Sequence, residues 1–99
     1  MTMPWPVQPM MAATGDLPGD TGRWGLELKW DGVRVIAYVS ADGVRASGRR
    51  VTELAGRYPE LSALSDLLPH HDVVLDGEVV AFDDGRPSFE RLQRRMHIA

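Results

Sequence analysis

The sequence predicts an α+β fold in which a mainly antiparallel sheet is flanked by helices. Apolar and polar residues alternate over 24–30, Asp-Gly pairs separate short segments rich in β-branched residues, and helical patterns begin near residues 59 and 88. The order is strand, strand, short strand, helix, strand, helix. It lacks the regular alternation of a Rossmann fold, and the glycines form no phosphate loop of a common spacing.

The composition is that of one small folded domain. Of the 99 residues, 43% are apolar and 25% are charged. The formal net charge of −3 gives no long-range attraction to nucleic acid, so any DNA contact has to come from a local arginine patch. The absence of cysteine excludes disulfides and thiolate metal sites. No apolar stretch has the length of a membrane span, and we expect a cytoplasmic protein without membrane contact.

The first half of the chain predicts an irregular lead-in over 1–22, rich in proline, glycine and aspartate, followed by a hairpin over 24–39. In its first strand, one face carries Trp24, Leu26, Leu28 and Trp30. Asp31-Gly32 is the expected two-residue turn, and the second strand is rich in β-branched residues. A further short strand is expected from about Val44.

The second half predicts a helix over 59–68, with Pro59 in its first turn. The apolar segment 73–82 contains Asp76-Gly77-Glu78, which leaves two interpretations: one strand with an internal glycine, which we favour, or two strands around a turn. Ser88 is positioned to cap a last helix. We assign the following residues to the core: Trp5, Trp24, Trp30, Leu61, Leu64 and Leu67.

Lys29 is the only lysine beside ten arginines. Because an arginine stays protonated whereas a lysine amine can become neutral and attack an electrophile, Lys29 is a candidate nucleophile. A two-residue turn would place Glu27, Lys29 and Arg34 on one face, with the two cations opposed. An anion such as a phosphate would compensate this repulsion, and the guanidinium would favour a neutral amine. The alternative is a solvated face.

Glu78 is the second polar residue of interest, because it lies in an apolar segment. On a continuous strand its carboxylate needs a partner, a ligand hydroxyl or a metal, whereas a turn at Asp76-Gly77 would leave it solvated. We expect the three histidines to be solvated, since no second coordinating residue stands at a matching spacing. They are His70, His71 and His97.

Several segments together resemble the nucleotidyltransferase domain of ATP-dependent DNA ligases, particularly bacterial ligases of the end-joining type. Residues 27–34, ELKWDGVR, are similar to the motif whose lysine is adenylylated, and residues 74–80, VLDGEVV, are similar to the third motif. The supporting segments are residues 8–12, 51–52, 58–61, 87–89 and 92–95. The resemblance covers nearly the whole chain. It implies the N-terminal part of an ATP-grasp-like domain, with residues 23–99 as an incomplete nucleotidyltransferase domain.

The resemblance also implies a reaction. Lys29 would attack the α-phosphorus of ATP to form lysyl-AMP, and AMP would pass to a 5′-phosphate at a break in double-stranded DNA, which is then sealed in repair. The implied cofactors are ATP and Mg²⁺, and the protein ligands of the metal are left open. Nicked or broken DNA is the expected partner, with end-joining or polymerase partners in the parent protein.

The roles of individual residues follow from the same resemblance. Glu27 is expected beside the adenine, Arg34 near the sugar or phosphate, and Glu78 near the ribose. Asp31 would shape the loop and orient the nucleophile. Where the family carries a Ser-Arg pair, this chain has Ala46-Ser47-Gly48-Arg49-Arg50, so either Arg49 replaces that arginine or the contact is lost.

The chain ends before several later elements of the family, which are the aromatic adenine clamp, a metal-binding glutamate, two C-terminal lysines and the OB-fold. We therefore expect the 99 residues alone to be inactive. The alternatives are an RNA ligase, a capping-type nucleotidyltransferase, or a non-catalytic nucleotide-binding module.

Overall fold

A computed structural model describes residues 3–50 and 53–96 of the chain. A three-stranded antiparallel sheet of order β2-β1-β3 forms its centre, and a small hairpin, β4 with β5, follows. The α+β prediction is confirmed. No helix in the described ranges is long and apolar enough to cross a membrane. The elements are β1 Val33–Ser40, β2 Gly43–Ser47, α1 Leu64–Leu67, β3 Val73–Val79, β4 Phe82–Asp83, β5 Arg86–Pro87 and α2 Phe89–Met96, with 3₁₀ turns at Thr21–Arg23 and Pro59–Ala63.

β1 is the core strand. Its five residues 35–39 are each at most 4% exposed, and four of the five are β-branched or aromatic. Burial of consecutive residues means that both faces of the strand are covered, since successive side chains point to opposite faces. A tight turn connects β1 to β2, and Ser40 pairs with Gly43 across it. The φ of Gly43 is +122°, a conformation that glycine adopts without strain.

The predicted hairpin over 24–39 is wrong. β1 pairs with β2 on one edge and with β3 on the other, so neither edge is free for residues 24–30. That segment has no regular structure, and the side chains assigned to a buried face are exposed: 62% for Trp24, 90% for Leu26 and 73% for Leu28. Trp24 is therefore not a core residue. Trp30 is 42% exposed and makes an edge contact with Phe82, with ring centroids 6.4 Å apart.

The other strand predictions are confirmed. β2 covers the segment expected from Val44 and ends before Gly48. β3 runs without interruption through Asp76, Gly77 and Glu78, as the favoured interpretation required, but it ends at Val79 and not at residue 82. Phe82 begins β4 in the separate small hairpin. Further along, Asp84 and Gly85 form the turn of the small hairpin with φ values of +52° and +78°.

The helix predictions hold with two refinements. The segment expected at 59–68 begins as a 3₁₀ turn with Pro59 at its start and becomes α-helical only at Leu64. Leu67 is 73% exposed and does not join the core. Ser88 caps α2 as expected, because its Oγ accepts a hydrogen bond from the Arg91 N–H at 3.2 Å. His70 and His71 are exposed, and His97 lies outside the described residues.

Residues 5–12 of the lead-in form a segment without regular structure that contacts the sheet, which we call the strap. The ring of Trp5 meets Tyr38 edge-on with centroids 4.6 Å apart, and the guanidinium of Arg45 lies 3.5 Å from the centre of the Trp5 ring. The Val7 N–H donates to the Tyr38 hydroxyl at 2.8 Å. That hydroxyl also shares a 2.7 Å hydrogen bond with the buried Ser47, so the strap is anchored in the core.

Hydrogen bonds hold α2 against residues 57–60, where the 3₁₀ turn Pro59–Ala63 begins. Leu92 is 2% exposed and contributes to the core. The Arg95 guanidinium donates to both Glu60 oxygens at 2.7 and 3.0 Å, and this hydrogen bonding lowers the pKa of Glu60 to about 2. Arg57 donates to the Met96 carbonyl at 2.8 Å. These hydrogen bonds join the C-terminal end of α2 to residues 57–60.

Tyr38→Phe tests the anchor of the strap. The substitution removes the hydroxyl that bonds Val7 and the buried Ser47, so we expect a loss of about 1–2 kcal/mol in the free energy of unfolding. Urea unfolding provides the measurement. Tyr58→Phe is the matched control, because Tyr58 is equally buried and its hydroxyl has no hydrogen bond within the described ranges. Equal losses for both variants would contradict the assignment.

Candidate functional site

An open cleft of about 620 Å³ gathers four of the six predicted site residues. They come from three parts of the chain: Glu27 and Lys29 precede β1, Arg34 belongs to β1 and Glu78 to β3. The remaining lining residues are Ala12, Leu28, Trp30, Asp76 and Gly77. Although residues 24–30 do not form the expected strand, their charged side chains still meet Arg34 and Glu78 at one cleft.

A second cavity of about 500 Å³ shares Ala12, Arg34 and Glu78 with the first. It is lined by three more arginines, Arg49, Arg50 and Arg57, and by apolar side chains that include Leu54, Tyr58, Phe89 and Met96. The structure thus places Arg49 in the adjoining cavity and not beside Lys29. Asp31 lines neither of these two cavities and is exposed.

Gly32 determines how the lysine segment approaches the sheet. A Cβ atom at this position would collide with the carbonyl oxygen of Val79 and with Cγ1 of Val80. The chain can pass this close to the end of β3 only with a glycine. Gly32 therefore has a packing role: its lack of a side chain allows the segment containing Lys29 to lie next to the end of β3.

Arg34 is opposed by Glu78 and not by Lys29. The register of β1 with β3 pairs Arg34 with Glu78, and Ile36 with Asp76. Both carboxylates lie on the Arg34 face of the sheet, since residues two apart share a face. The expected cation pair between Lys29 and Arg34 across a hairpin is therefore wrong, because β3 holds the position that the hairpin would have needed.

The Arg34 guanidinium makes three hydrogen bonds. Its Nε and Nη2 donate to the two Asp76 oxygens at 2.6 and 2.7 Å, and its Nη1 donates to the Met10 carbonyl at 3.0 Å. The bidentate contact lowers the pKa of Asp76 and raises that of Arg34. Three of its five N–H donors are used, so two remain for a ligand. Asp76 was not among the site residues predicted from the sequence; the signal for it was its two-residue spacing from Glu78.

Glu78 differs from Asp76 although the two carboxylates are neighbours on one face. No hydrogen bond joins the Glu78 carboxylate to residues 3–50 or 53–96, and its side chain lines both cavities. The cleft is thus lined by the amine of Lys29, the guanidinium of Arg34, which Asp76 holds in place, and the accessible carboxylate of Glu78. Within those same ranges no group of three His, Cys, Asp or Glu side chains is placed to hold a metal ion.

Comparison with known proteins identifies the family. The family model for the ATP dependent DNA ligase domain matches residues 9–99. The chain therefore belongs to the ATP-dependent DNA ligase domain family, as the motifs around Lys29 and Glu78 indicated. Over 70% of the chain, its fold also matches a solved structure described as mycobacterial DNA ligase D complexed with ATP and MES, with a TM-score of 0.66 and 41% identity, over 23% of that chain.

The similar curated proteins are bacterial ligases. The chain is 40% identical over 91 residues to the multifunctional non-homologous end joining DNA repair protein LigD of Mycobacterium tuberculosis H37Rv. The aligned region covers 90% of this chain and 12% of that protein. It is 39% identical over 100 residues to DNA ligase C1 of Mycolicibacterium smegmatis, which covers 95% of this chain and 28% of that protein. The chain thus spans a small part of the length of these relatives.

Asp76→Asn tests the ion pair through its pH dependence. Because the folded-state pKa of Asp76 is depressed, the carboxylate stabilises the fold above its ordinary pKa of 3.8, and this contribution is lost as the pH falls through the depressed value. The advantage of the wild type over Asp76→Asn should be constant between about pH 5 and 7 and should shrink in more acidic solution. Urea unfolding at each pH measures it. A constant difference at all pH values would argue against the pair.

Proposed function

We propose that this chain supplies the lysine half of the adenylation site of an ATP-dependent DNA ligase. The observation that supports it most directly is the position of Lys29, the only lysine of the chain, in a cleft that Glu27, Arg34 and Glu78 also line. A cleft of about 620 Å³ is within the usual size range of sites for small molecules. The similar structure of DNA ligase D is described as a complex with ATP, which supports ATP as the substrate of this site.

In the proposed reaction the Lys29 amine attacks the α-phosphorus of ATP. A phosphoramidate bond forms, the bond to the β-phosphate oxygen breaks, and pyrophosphate leaves. AMP is then transferred to the 5′-phosphate at a break in double-stranded DNA, and the 3′-hydroxyl displaces it as the strand is sealed. Mg²⁺ would neutralise the phosphates. We assign this ion mainly to the phosphates of ATP, because Mg²⁺ commonly uses one or two carboxylates together with substrate phosphates.

The nearby side chains have separate proposed roles. Glu27 lies beside the adenine and Glu78 accepts a hydrogen bond from the ribose, a role open to it because its carboxylate is accessible in the cleft. Arg34 contacts the sugar or phosphate through its two remaining N–H groups. Asp31 orients the lysine segment. Arg49, which lines the adjoining cavity with two other arginines, provides positive charge for a phosphate outside the lysine cleft.

The wider setting is also proposed. Residues 23–99 form part of a nucleotidyltransferase domain, and the parent protein is a cytoplasmic ligase acting on nicked or broken DNA. The LigD relatives are named for non-homologous end joining, which supports end-joining partners for the parent protein. Polymerase partners are part of the same proposal and rest on the resemblance of the sequence alone.

Lys29→Arg is the direct test of the nucleophile. Residues 9–99 would replace the corresponding segment of DNA ligase C1 from Mycolicibacterium smegmatis, and the chimera would be incubated with ATP labelled at the α-phosphate. We expect covalent labelling of the original lysine chimera and a loss of at least about a hundredfold in the variant, because a guanidinium does not become a neutral nucleophile.

Two controls accompany that experiment. Lys29→Arg combined with Arg23→Lys places an accessible lysine just before the segment 24–30, at a side chain that is 84% exposed, and should remain unlabelled. Labelled GTP examines the capping-type alternative. Covalent AMP on Lys29→Arg would refute the nucleophile, and labelling by GTP alone would refute the ligase assignment.

The purified 99 residues should not seal a nick. Pre-organised electrostatic stabilisation is usually the largest catalytic contribution, and this chain corresponds to only 12% to 28% of the length of its ligase relatives. A denaturing gel of a nicked duplex incubated with ATP, Mg²⁺ and the chain gives the measurement, with the active chimera as the positive control. Efficient sealing by the 99 residues would show that they contain a complete active site.

A further inference from the structure

The strap forms part of the wall of the cleft that contains Lys29. Ala12 lines both cavities, and Met11 lines the second one. The first part of the strap is anchored at Tyr38 through Trp5 and Val7. The position of Ala12 therefore depends on what holds the strap beyond Val7.

Beyond Val7 the strap has one hydrogen bond to the sheet within the described part of the chain. It is the bond from Arg34 Nη1 to the Met10 carbonyl, at 3.0 Å. Pro9 is buried, but the Met10 side chain is 86% exposed and that of Met11 is 47% exposed. Because these two side chains are so exposed, side-chain packing holds them weakly, and the bond to the Met10 carbonyl is the main restraint on the end of the strap.

Asp76 determines where that bond can form. The bidentate contact fixes the plane of the Arg34 guanidinium, and the remaining nitrogen, Nη1, then points at the strap. The Arg34 side chain is 27% exposed and that of Asp76 is 56% exposed, so the pair is accessible to solvent and its contribution to global stability is small, although the pH-dependent comparison with Asp76→Asn can measure it. A pair of low energetic value can still determine a local geometry, because its two parallel hydrogen bonds allow one orientation.

We propose that Asp76 is a positioning residue: by holding the Arg34 guanidinium it fixes the Met10 carbonyl and so places Met11 and Ala12 as one wall of the nucleotide cleft. Glu78, the carboxylate directly opposite Arg34 in the register, stays available to the ligand. Asp76 thus holds Arg34 in position, whereas Glu78, two residues later, is available to bind the ligand. The part of this inference that concerns ATP rests on the proposed function.

Backbone amide order parameters, measured by NMR relaxation in the 99-residue chain, test the structural step without ATP. In Asp76→Ala the order parameters of Met11 and Ala12 should fall from about 0.85, the value of rigid backbone, to about 0.6 or below, because the end of the strap is no longer held. Arg34→Lys should give the same change, since it keeps the charge but loses the planar fork. Asp76→Glu retains a bidentate acceptor and should restore the high order parameters.

Glu60→Ala is the matched control. It breaks the similar bidentate pair with Arg95, which lies between α2 and the 3₁₀ turn and outside both cavities. The order parameters of Met11 and Ala12 should be unchanged in this variant. Order parameters in Asp76→Ala that match the wild type, or that fall equally in Glu60→Ala, would overturn the proposal.

Lys29 itself reports on the cleft, because an amine-reactive acylating reagent attaches to an accessible lysine amine. The measured quantity is the ATP concentration that halves the acylation rate at Lys29, identified by peptide mass, in the DNA ligase C1 chimera without Mg²⁺. It should rise about fivefold in Asp76→Ala and stay unchanged in Glu60→Ala. Lower order parameters of the strap with unchanged ATP protection of Lys29 would overturn the positioning role. An original chimera that ATP does not protect would contradict the proposed function, while the order parameters would still decide whether Asp76 holds the strap.

Discussion

The double pairing of β1 is the constraint on which the rest of the structure depends. β2 and β3 occupy both edges of this strand, so its consecutive residues are buried on both faces and it forms the core of a small chain. The same pairing places Glu78 opposite Arg34 and leaves residues 24–30 without a strand partner on β1. The lysine segment is consequently an exposed extension that passes the end of β3 at Gly32.

The cleft owes its polarity to this pairing. A hairpin would have opposed two cations, whereas the observed register sets Arg34 between two carboxylates of β3. Asp76 binds the guanidinium through two short hydrogen bonds, and Glu78 does not bind it. Positive charge is thus fixed beside Lys29 with a carboxylate available nearby, which is the arrangement expected for a nucleotide carrying both phosphates and hydroxyl groups. The strap completes the wall because the same guanidinium also holds Met10.

Local signals in the sequence were sufficient for several elements. Ser88 predicted the start of α2, since a hydroxyl before an apolar periodic segment satisfies a free N–H group. The Asp84-Gly85 turn followed from residues that tolerate positive φ. The alternation of Trp24, Leu26 and Leu28 misled the prediction, because a period of two indicates that a segment can pair but does not say whether an edge is free. Tertiary pairing of β1 with β3 settled that question.

The sequence by itself determined much of the chemistry of the candidate site: a single lysine, its ligase-like motif, and Glu78 as a carboxylate on an apolar strand. It also contained the two-residue spacing of Asp76 and Glu78 that places both on one strand face, although Asp76 was not predicted as a site residue. Only the tertiary structure decided which carboxylate binds Arg34, that the strap joins the cleft through Met10, and that Arg49 lies in the adjoining cavity. The physical reason is that these contacts join residues 24 to 42 positions apart, and local periodicity carries no information about such pairs.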